Sequence, residues 1–87
     1  MITIQFEKEN NKSVAYDNNV EIGECVFIET EKYWNIVHTE VNVLYQGKGI
    51  GRKLVENIIE NAKIYNKTLI AECSYAKRIL EAKKEDK

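Results

Sequence analysis

The 87-residue sequence predicts a mixed α/β (α+β) fold with a sheet of about five strands: an antiparallel meander, then a β-α-β crossover and a C-terminal helix. Two periodicities predict this order. Up to about residue 43, apolar and polar residues alternate with the period of two that is typical of strands. From residue 50 onward, apolar residues recur every three to four positions, which is the period of an amphipathic helix.

The first half of the chain predicts four strands joined by short polar connections. Asn and Asp in these connections tolerate a positive φ angle, and connections this short join antiparallel neighbours. In the fourth strand, strict alternation places Trp34, Ile36, His38 and Glu40 on one face and Thr39 on the other. The predicted strands span residues 2–7, 13–16, 20–29 and 33–43.

The second half of the chain predicts a helix over residues 50–65, a short buried strand over 68–73 and a last helix over 74–83. Ser74 is expected to cap the last helix, because its hydroxyl can accept a bond from a free amide of the first turn. A helix between two strands predicts a right-handed crossover with those strands parallel. The charged run at 81–87 is expected to be a fraying helix end and solvated tail of a single domain, residues 1–87.

Composition narrows the classes of partner and compartment. Thirteen basic and fourteen acidic residues give a net charge of -1, so no nucleic acid partner is expected. No apolar run is long enough to span a membrane and no signal peptide is recognisable, so we expect a cytoplasmic protein. In that compartment Cys25 and Cys73 are expected to be reduced. We expect a monomer or a weak dimer. One histidine and two separated cysteines predict no metal site.

Three of the four glycines fall in one window, at positions 47, 49 and 51, between the fourth strand and the first helix. Glycine lets the backbone approach a ligand closely, and the free amides and positive dipole at a helix start attract an anion. A dinucleotide-binding fingerprint is excluded because Arg52 stands where its third glycine belongs. A Walker phosphate loop is excluded because no Gly-Lys-Ser/Thr follows. A phosphate site is therefore favoured, while a glycine turn without a ligand remains open.

The pattern Gln46-x-x-Gly49-x-Gly51 resembles the acyl-coenzyme A signature of the GNAT N-acetyltransferase superfamily. Together with residues 38–41 and 73–77, the chain looks like the small stand-alone GNAT-like domain of the YjdJ type. The resemblance covers roughly residues 22–80. It implies that strand four splays from strand five, that pantetheine lies in the gap, and that acetyl-coenzyme A donates an acetyl group to an amine of unknown identity.

The same resemblance implies how the cofactor is held. Backbone groups at the end of strand four would bind pantetheine, and the amides of the glycine window would bind the pyrophosphate. Two cationic side chains add charge-assisted donors there. Tyr75 is expected to touch pantetheine or to protonate the coenzyme A thiolate, with packing of the last helix as the alternative. The expected cofactor-binding residues are Val41, Asn42, Val43, Gln46, Gly47, Lys48, Gly49, Ile50, Gly51, Arg52 and Tyr75.

Three residues are candidates for catalysis. Cys73 lies at a strand end beside a helix start, which can lower a thiol pKa, and by the resemblance it faces the thioester. It would take the acetyl group itself or act as an acid; the alternative is a small buried hydrophobe. His38 would activate Cys73 or deprotonate the amine, and Glu40 is the second base candidate. Ordinary roles within the sheet remain open for both.

Two functions of different class follow. The first is an acetyl-coenzyme A-dependent N-acetyltransferase, with an acyl-Cys73 intermediate as one route. The alternative is a module that binds or senses acyl-coenzyme A without efficient turnover. That alternative is favoured by the connection at residues 9–12, where the resemblance implies two helices in larger members. A structural domain without a ligand is the third possibility.

Overall fold

A computed structural model describes residues 1–85 and shows one mixed five-stranded sheet in chain order, with two helices. The first four strands are antiparallel and the fifth is parallel to the fourth, which confirms the predicted fold class. Neither described helix is long and apolar enough to cross a membrane. The elements are β1 (Ile2–Glu7), β2 (Lys12–Asp17), β3 (Val20–Glu29), β4 (Tyr33–Val41), α1 (Ile50–Ile64), β5 (Thr68–Ala71) and α2 (Ser74–Glu85).

The described part of α2 includes most of the predicted charged tail. Residues 81–85 are helical, whereas residues 86 and 87 of that predicted tail lie outside the described residues. The helix therefore extends about half a turn beyond the predicted end at residue 83.

Asparagines in left-handed conformation make two of the three connections of the meander. Asn18 and Asn19, with φ angles of 50° and 78°, turn the chain between β2 and β3. Asn11, with a φ of 54°, ends a short 3₁₀ turn between β1 and β2. Asparagine adopts this conformation more readily than other side chains that carry a β-carbon. The polar turns predicted from the sequence thus work through the backbone freedom of these residues.

The core lies between one face of the sheet and α1. Leu54 and Ile58 of α1 are fully buried and belong to the same core cluster as Phe27 and Trp34, whose rings stack at 4.4 Å between centroids. The Ser13 hydroxyl donates a 2.8 Å hydrogen bond to the carbonyl of Leu54, which satisfies a buried polar group and ties α1 to β2. This contact and the apolar face of α1 set the position of the helix over the sheet.

A β-bulge at Val37 changes the faces of β4. Phe27 of β3 pairs with Ile36, but the preceding residue pairs with His38, so Val37 is an extra residue. The prediction that Trp34, Ile36, His38 and Glu40 share a face is therefore wrong. Beyond the bulge, Thr39 points to the helix side, and His38 lies on the outer face of the sheet.

Both strands at the centre of the crossover end earlier than predicted. β4 stops at Val41 because the Asn42 side chain accepts a 2.9 Å bond from the Leu44 amide and starts a 3₁₀ turn. β5 stops at Ala71 because the two amides that follow both turn onto one carbonyl of β4. The apolar–polar pattern of the sequence continues past Val41 and past Ala71, so periodicity alone overestimates the lengths of both strands.

The buried contact of α1 predicts a large stability loss on truncation. Replacing Ile58, which is fully buried, with alanine should reduce the free energy of unfolding by about 2–5 kcal/mol, since transfer and cavity costs add. Urea unfolding followed by circular dichroism measures the change. Glu60→Ala, on the exposed side of the same helix, should change it by less than about 0.5 kcal/mol. Equal losses in the two variants would contradict the packing described.

Candidate functional site

A groove opens where β5 ends at Ala71 and β4 runs on alone. The two strands pair from Tyr33 to Ile36 of β4, whereas β4 itself runs on to Val41. The gap beyond Ile36 is bordered by the beginnings of both helices, and the resulting groove has a volume of about 370 Å³. Its walls are Thr39, Val41, Tyr45, Gln46, Gly47, Gly49, Ile50, Gly51 and Tyr75.

The glycine turn forms one end of this groove. Gly47 and Gly49 have φ angles of 82° and 79°, which side chains with a β-carbon rarely adopt. A β-carbon at either position would meet no atom of the described chain within 4 Å, so the backbone angle and not crowding requires glycine. The turn therefore presents bare backbone to open space.

Free amides at the start of α1 face an incoming ligand. Gly49 is the N-terminal cap, and the first bond within the helix is donated by the Lys53 amide to the Gly49 carbonyl at 3.2 Å. The amides of Ile50, Gly51 and Arg52 precede that bond and are the groups that a helix leaves for a cap or an anion. Gly49 has no side-chain cap, so these donors remain available to an anionic group.

Gly51 allows Tyr75 of α2 to lie across the first turn of α1. A β-carbon at Gly51 would come within 3.0 Å of the Tyr75 hydroxyl. Tyr75 consequently forms a wall of the groove and also of a second, shallower depression that contains Arg52 and Arg78. The Arg52 Nε donates a 3.1 Å bond to Glu56, so Arg52 is an exposed, ion-paired side chain beside the groove.

Two side-chain bonds hold the segment before the glycines. The Gln46 amide donates a 3.1 Å bond to the carbonyl of Val41. The Tyr45 hydroxyl donates a 2.6 Å bond to the carboxylate of Asp17 on β2. The Tyr45 hydroxyl and, after it, the Met1 amino group lower the pKa of the Asp17 carboxyl. These bonds connect the end of β4 to the opposite part of the sheet and so fix the entrance to the glycine turn.

Cys73 caps α2 and contacts Thr39. Its carbonyl accepts the first helical bond of α2, from the Lys77 amide at 2.8 Å, so Cys73 and not the predicted Ser74 is the N-cap. The Cys73 Sγ lies 3.5 Å from the Thr39 Oγ1. Partial burial raises the pKa of the Cys73 thiol, but the Thr39 hydroxyl and the amides of Ala76, Tyr75 and Thr39 together bring it below its usual value.

Cys25 differs sharply from Cys73. It is fully buried in the core, and burial raises the pKa of its thiol to about 12. Its Sγ lies 3.4 Å from the same Thr39 Oγ1. Cys25 is therefore a permanently protonated thiol at ordinary pH, as expected for a core cysteine.

His38 and Glu40 lie on the outer face of the sheet. The His38 Nε2 is 3.1 Å from the Glu40 Oε1, and both side chains are largely exposed. Because the bulge turns His38 away from the helix side, the expected direct pair of His38 with Cys73 is not formed. One ligand atom each from His38, Glu40 and Glu24 lie within 4.8 Å of one another, but Glu24 is ion-paired to Lys12 at 3.1 Å.

The structure thus gathers many of the predicted cofactor residues and leaves others outside. Asn42, Val43 and Lys48 do not line the groove: the Asn42 amide donates to the Ile22 carbonyl at 2.7 Å, and Val43 is 75% exposed. Thr39 and Tyr45 line it but were not predicted. Thr39 is two residues before Val41 on β4, so alternation places both side chains on one face and could have identified Thr39 as a groove residue. The position of Tyr45 depends on its bond to Asp17, which the sequence pattern does not show. The predicted residues that line the groove are Val41, Gln46, Gly47, Gly49, Ile50, Gly51 and Tyr75.

The Asp17–Tyr45 bond predicts a pH-dependent contribution to stability. Because the folded-state pKa of Asp17 lies below the unfolded value of about 3.9, this contribution is present above that pH and is lost as the pH falls through the folded-state pKa. Tyr45→Phe should lower the urea midpoint at neutral pH and lower it less in strong acid. Tyr33→Phe, at an exposed tyrosine, should leave both midpoints unchanged. An equal decrease for Tyr45→Phe at both pH values would contradict the assignment.

Sequence comparison identifies a family. The profile of a family described as GCN5-related N-acetyl-transferase matches residues 6–87, nearly the whole chain. No curated protein matches the chain at a significant level.

Solved structures share the fold. A GCN5-like protein from Staphylococcus aureus, solved by NMR, is 33% identical with a TM-score of 0.69, over 98% of this chain and 81% of that one. A GNAT family acetyltransferase from Elizabethkingia anophelis with acetyl-CoA bound is 26% identical with a TM-score of 0.66, over 83% of this chain and 50% of that one. A ribosomal-protein-alanine N-acetyltransferase from Brucella melitensis biovar Abortus 2308 is 18% identical with a TM-score of 0.64, over 69% of this chain and 47% of that one. The chain therefore spans about half the length of the last two proteins. The chain belongs to the GCN5-related N-acetyltransferase family.

Proposed function

We propose that this chain forms one domain, similar to the small YjdJ type, that binds acetyl-coenzyme A and transfers its acetyl group to an amine. The observation that carries this proposal is the groove beside the end of β4 that has no β5 partner. This groove reaches the free amides at the start of α1. The acetyl-CoA bound to the Elizabethkingia anophelis protein supports the same ligand class here.

The pyrophosphate is assigned to the glycine turn and the first amides of α1. The amides from Gly47 to Arg52 would donate to the phosphate oxygens, aided by the positive end of the helix dipole. Lys48 adds an exposed cation on the turn itself. Arg52 and Arg78, in the depression beyond Tyr75, would attract the additional phosphate at the adenosine end.

Pantetheine is assigned to the free edge of β4. Its two amides need backbone partners, and β4 has no β5 partner after Ile36 in the described chain. The carbonyl of Val41 already accepts from Gln46, and the Asn42 amide already donates to β3. We therefore place the pantetheine bonds on residues 37–41, with Val41 and Tyr75 as apolar walls.

The acetyl group would pass through Cys73. In this route the Cys73 thiolate attacks the thioester carbonyl, an S-acetyl bond forms, and coenzyme A leaves as a thiolate that takes up a proton. An amine then attacks the S-acetyl carbon, giving the amide and restoring the Cys73 sulfur. The lowered pKa of Cys73 and its contact with Thr39 beside the groove support this role.

His38 and Glu40 would act on the acceptor. They lie on the part of β4 that has no β5 neighbour, so an amine that reaches the gap from the outer face would meet them first. A neutral imidazole beside a carboxylate can take a proton from an ammonium group. Their proposed role is therefore as bases for the amine, and not as partners of the thiol.

A module that binds or senses acyl-coenzyme A without efficient turnover is the second candidate. The connection between β1 and β2 favours it, because it consists of the short turn Lys8–Asn10 followed by Asn11. A connection this short offers little surface against which an acceptor could be oriented. Turnover measured against a panel of amines distinguishes the enzyme from the module.

The glycine turn predicts a specific loss of coenzyme A binding. Gly49→Val should keep the sheet folded but weaken binding by about 2–4 kcal/mol, because valine disfavours the positive φ and its side chain occupies the ligand's approach. Coenzyme A titration followed by amide NMR measures this, with shifts expected from Gly47 to Arg52 in the wild type. Gly49→Ala serves as a milder variant if Gly49→Val unfolds.

A matched control tests the backbone effect alone. Asn66 at the far end of α1 also has a positive φ, of 58°, and lies away from the groove. Asn66→Val should destabilise the fold but leave coenzyme A affinity unchanged. If a folded Gly49→Val protein binds coenzyme A as the wild type does, the pyrophosphate assignment is wrong.

The acyl-cysteine route predicts one site of modification. Incubation with acetyl-coenzyme A should add a single acetyl mass, located at Cys73 by peptide mass spectrometry. Cys73→Ala should lose the adduct and keep coenzyme A binding, since the glycine turn is intact. Cys25 should stay unmodified because it is buried and protonated. Amine turnover by Cys73→Ala at the wild-type rate would instead establish direct transfer.

A further inference from the structure

The hydroxyl of Thr39 lies between the two cysteine sulfurs. Its Oγ1 is 3.4 Å from the Cys25 Sγ and 3.5 Å from the Cys73 Sγ, and both distances are within reach of a hydrogen bond to sulfur. Cys25 is on β3, Thr39 is its register partner on β4, and Cys73 follows β5. Three adjacent segments of the sheet thus place three polar side-chain atoms in one row.

The single proton of the Thr39 hydroxyl determines how this row can be bonded. A hydroxyl donates once and can accept twice, so Thr39 can donate to only one sulfur at a time. When Cys73 is a thiol, the 3.5 Å contact suits donation from its Sγ to the Thr39 oxygen. When Cys73 is a thiolate it can only accept, and Thr39 must donate to it. The Cys25 thiol can then donate to the Thr39 oxygen.

Cys25 is suited to that donor role. It is fully buried and its thiol remains protonated, since burial raises its pKa to about 12. A thiol that stays protonated at neutral pH has a proton to donate to the Thr39 oxygen. Because Cys25 is not a thiolate, it does not compete with the Cys73 thiolate for the single proton of the Thr39 hydroxyl.

We propose that Thr39 is a positioning residue that donates its hydroxyl proton to the Cys73 thiolate, and that the buried Cys25 thiol orients Thr39 by donating to it. The proposal deepens the proposed function and rests on it for its biological meaning, because a stabilised thiolate serves acyl transfer only if Cys73 is the acetyl acceptor.

The surroundings of Cys73 leave this hydroxyl as the main adjustable contact. The other groups that stabilise its charge are the amides of Ala76, Tyr75 and Thr39, which belong to the backbone. No charged side chain of the described chain contributes to that stabilisation. The titratable Tyr75 follows on α2, and His38 is turned to the opposite face of β4. Replacing the hydroxyl therefore removes its contacts with the two sulfurs and leaves the amides in place.

Thiol alkylation tests the proposal without requiring any acetyl transfer. The rate of Cys73 alkylation by iodoacetamide would be measured against pH in the wild type, Thr39→Val, Thr39→Ser and Cys25→Ala, with peptide mapping to separate the two cysteines. Valine is close to threonine in shape and replaces the hydroxyl with a methyl group. Urea midpoints show that each variant is folded, and Thr39→Ala replaces Thr39→Val if the latter does not fold.

The expected result is a lower alkylation rate of Cys73 at neutral pH in Thr39→Val, by about tenfold, with the pH profile moved to higher pH, because one bond to a charged group is lost. Thr39→Ser should restore the wild-type profile. Cys25→Ala should slow alkylation in the same direction but by less. A wild-type profile in folded Thr39→Val, or failure of Thr39→Ser to restore it, would overturn the role of Thr39. A wild-type profile in Cys25→Ala would overturn the role of Cys25.

Separate acetylation of the wild type distinguishes this proposal from the proposed function. If acetyl-coenzyme A leaves Cys73 unmodified while Thr39→Val still alters alkylation, the acyl-cysteine route fails and the positioning role stands. If Cys73 is acetylated but alkylation does not depend on Thr39, the positioning role fails and the route stands.

Discussion

The carbonyl of Ile36 is the contact on which the site depends. It accepts the amides of both Glu72 and Cys73, at 2.9 and 3.1 Å, and so ends the pairing of β4 with β5. Past this carbonyl β5 has ended, β4 continues to Val41 without it, and the groove opens. The second of these bonds, from the Cys73 amide, holds the backbone of Cys73 at the start of α2. One acceptor thus limits the sheet, creates the gap and sets the candidate nucleophile at its edge.

The bulge at Val37 acts one residue beyond that carbonyl. It exchanges the faces of β4, so that Thr39 turns toward the helix side and the groove while His38 and Glu40 turn away. The groove therefore receives a small hydroxyl beside two sulfurs, and the ionisable pair is kept on the opposite face of the strand. The Cys73 thiol and the His38–Glu40 pair thus lie on opposite faces of one strand.

The sequence predicted the parts of this architecture that depend on local pattern. Alternation, helical periodicity and the glycine window identified the order of elements and the free helix start at Gly49, because each is a property of neighbouring residues. The bulge was missed because Ile36 and Val37 are both apolar, so the apolar–polar pattern does not show which of them is the extra residue. Thr39 and Tyr45 were missed because their partners, Cys73 and Asp17, lie 34 and 28 residues away.

The position of Thr39 also determines how the protein would respond to oxidants. β4 separates Cys25 from the segment after β5, and two strand spacings of roughly 9.5 Å exceed the approximate 7 Å limit between the α-carbons of a disulfide. The two thiols cannot join unless a strand moves. An oxidised Cys73 would have no resolving partner within the described sheet, so its recovery would depend on a thiol supplied by another molecule.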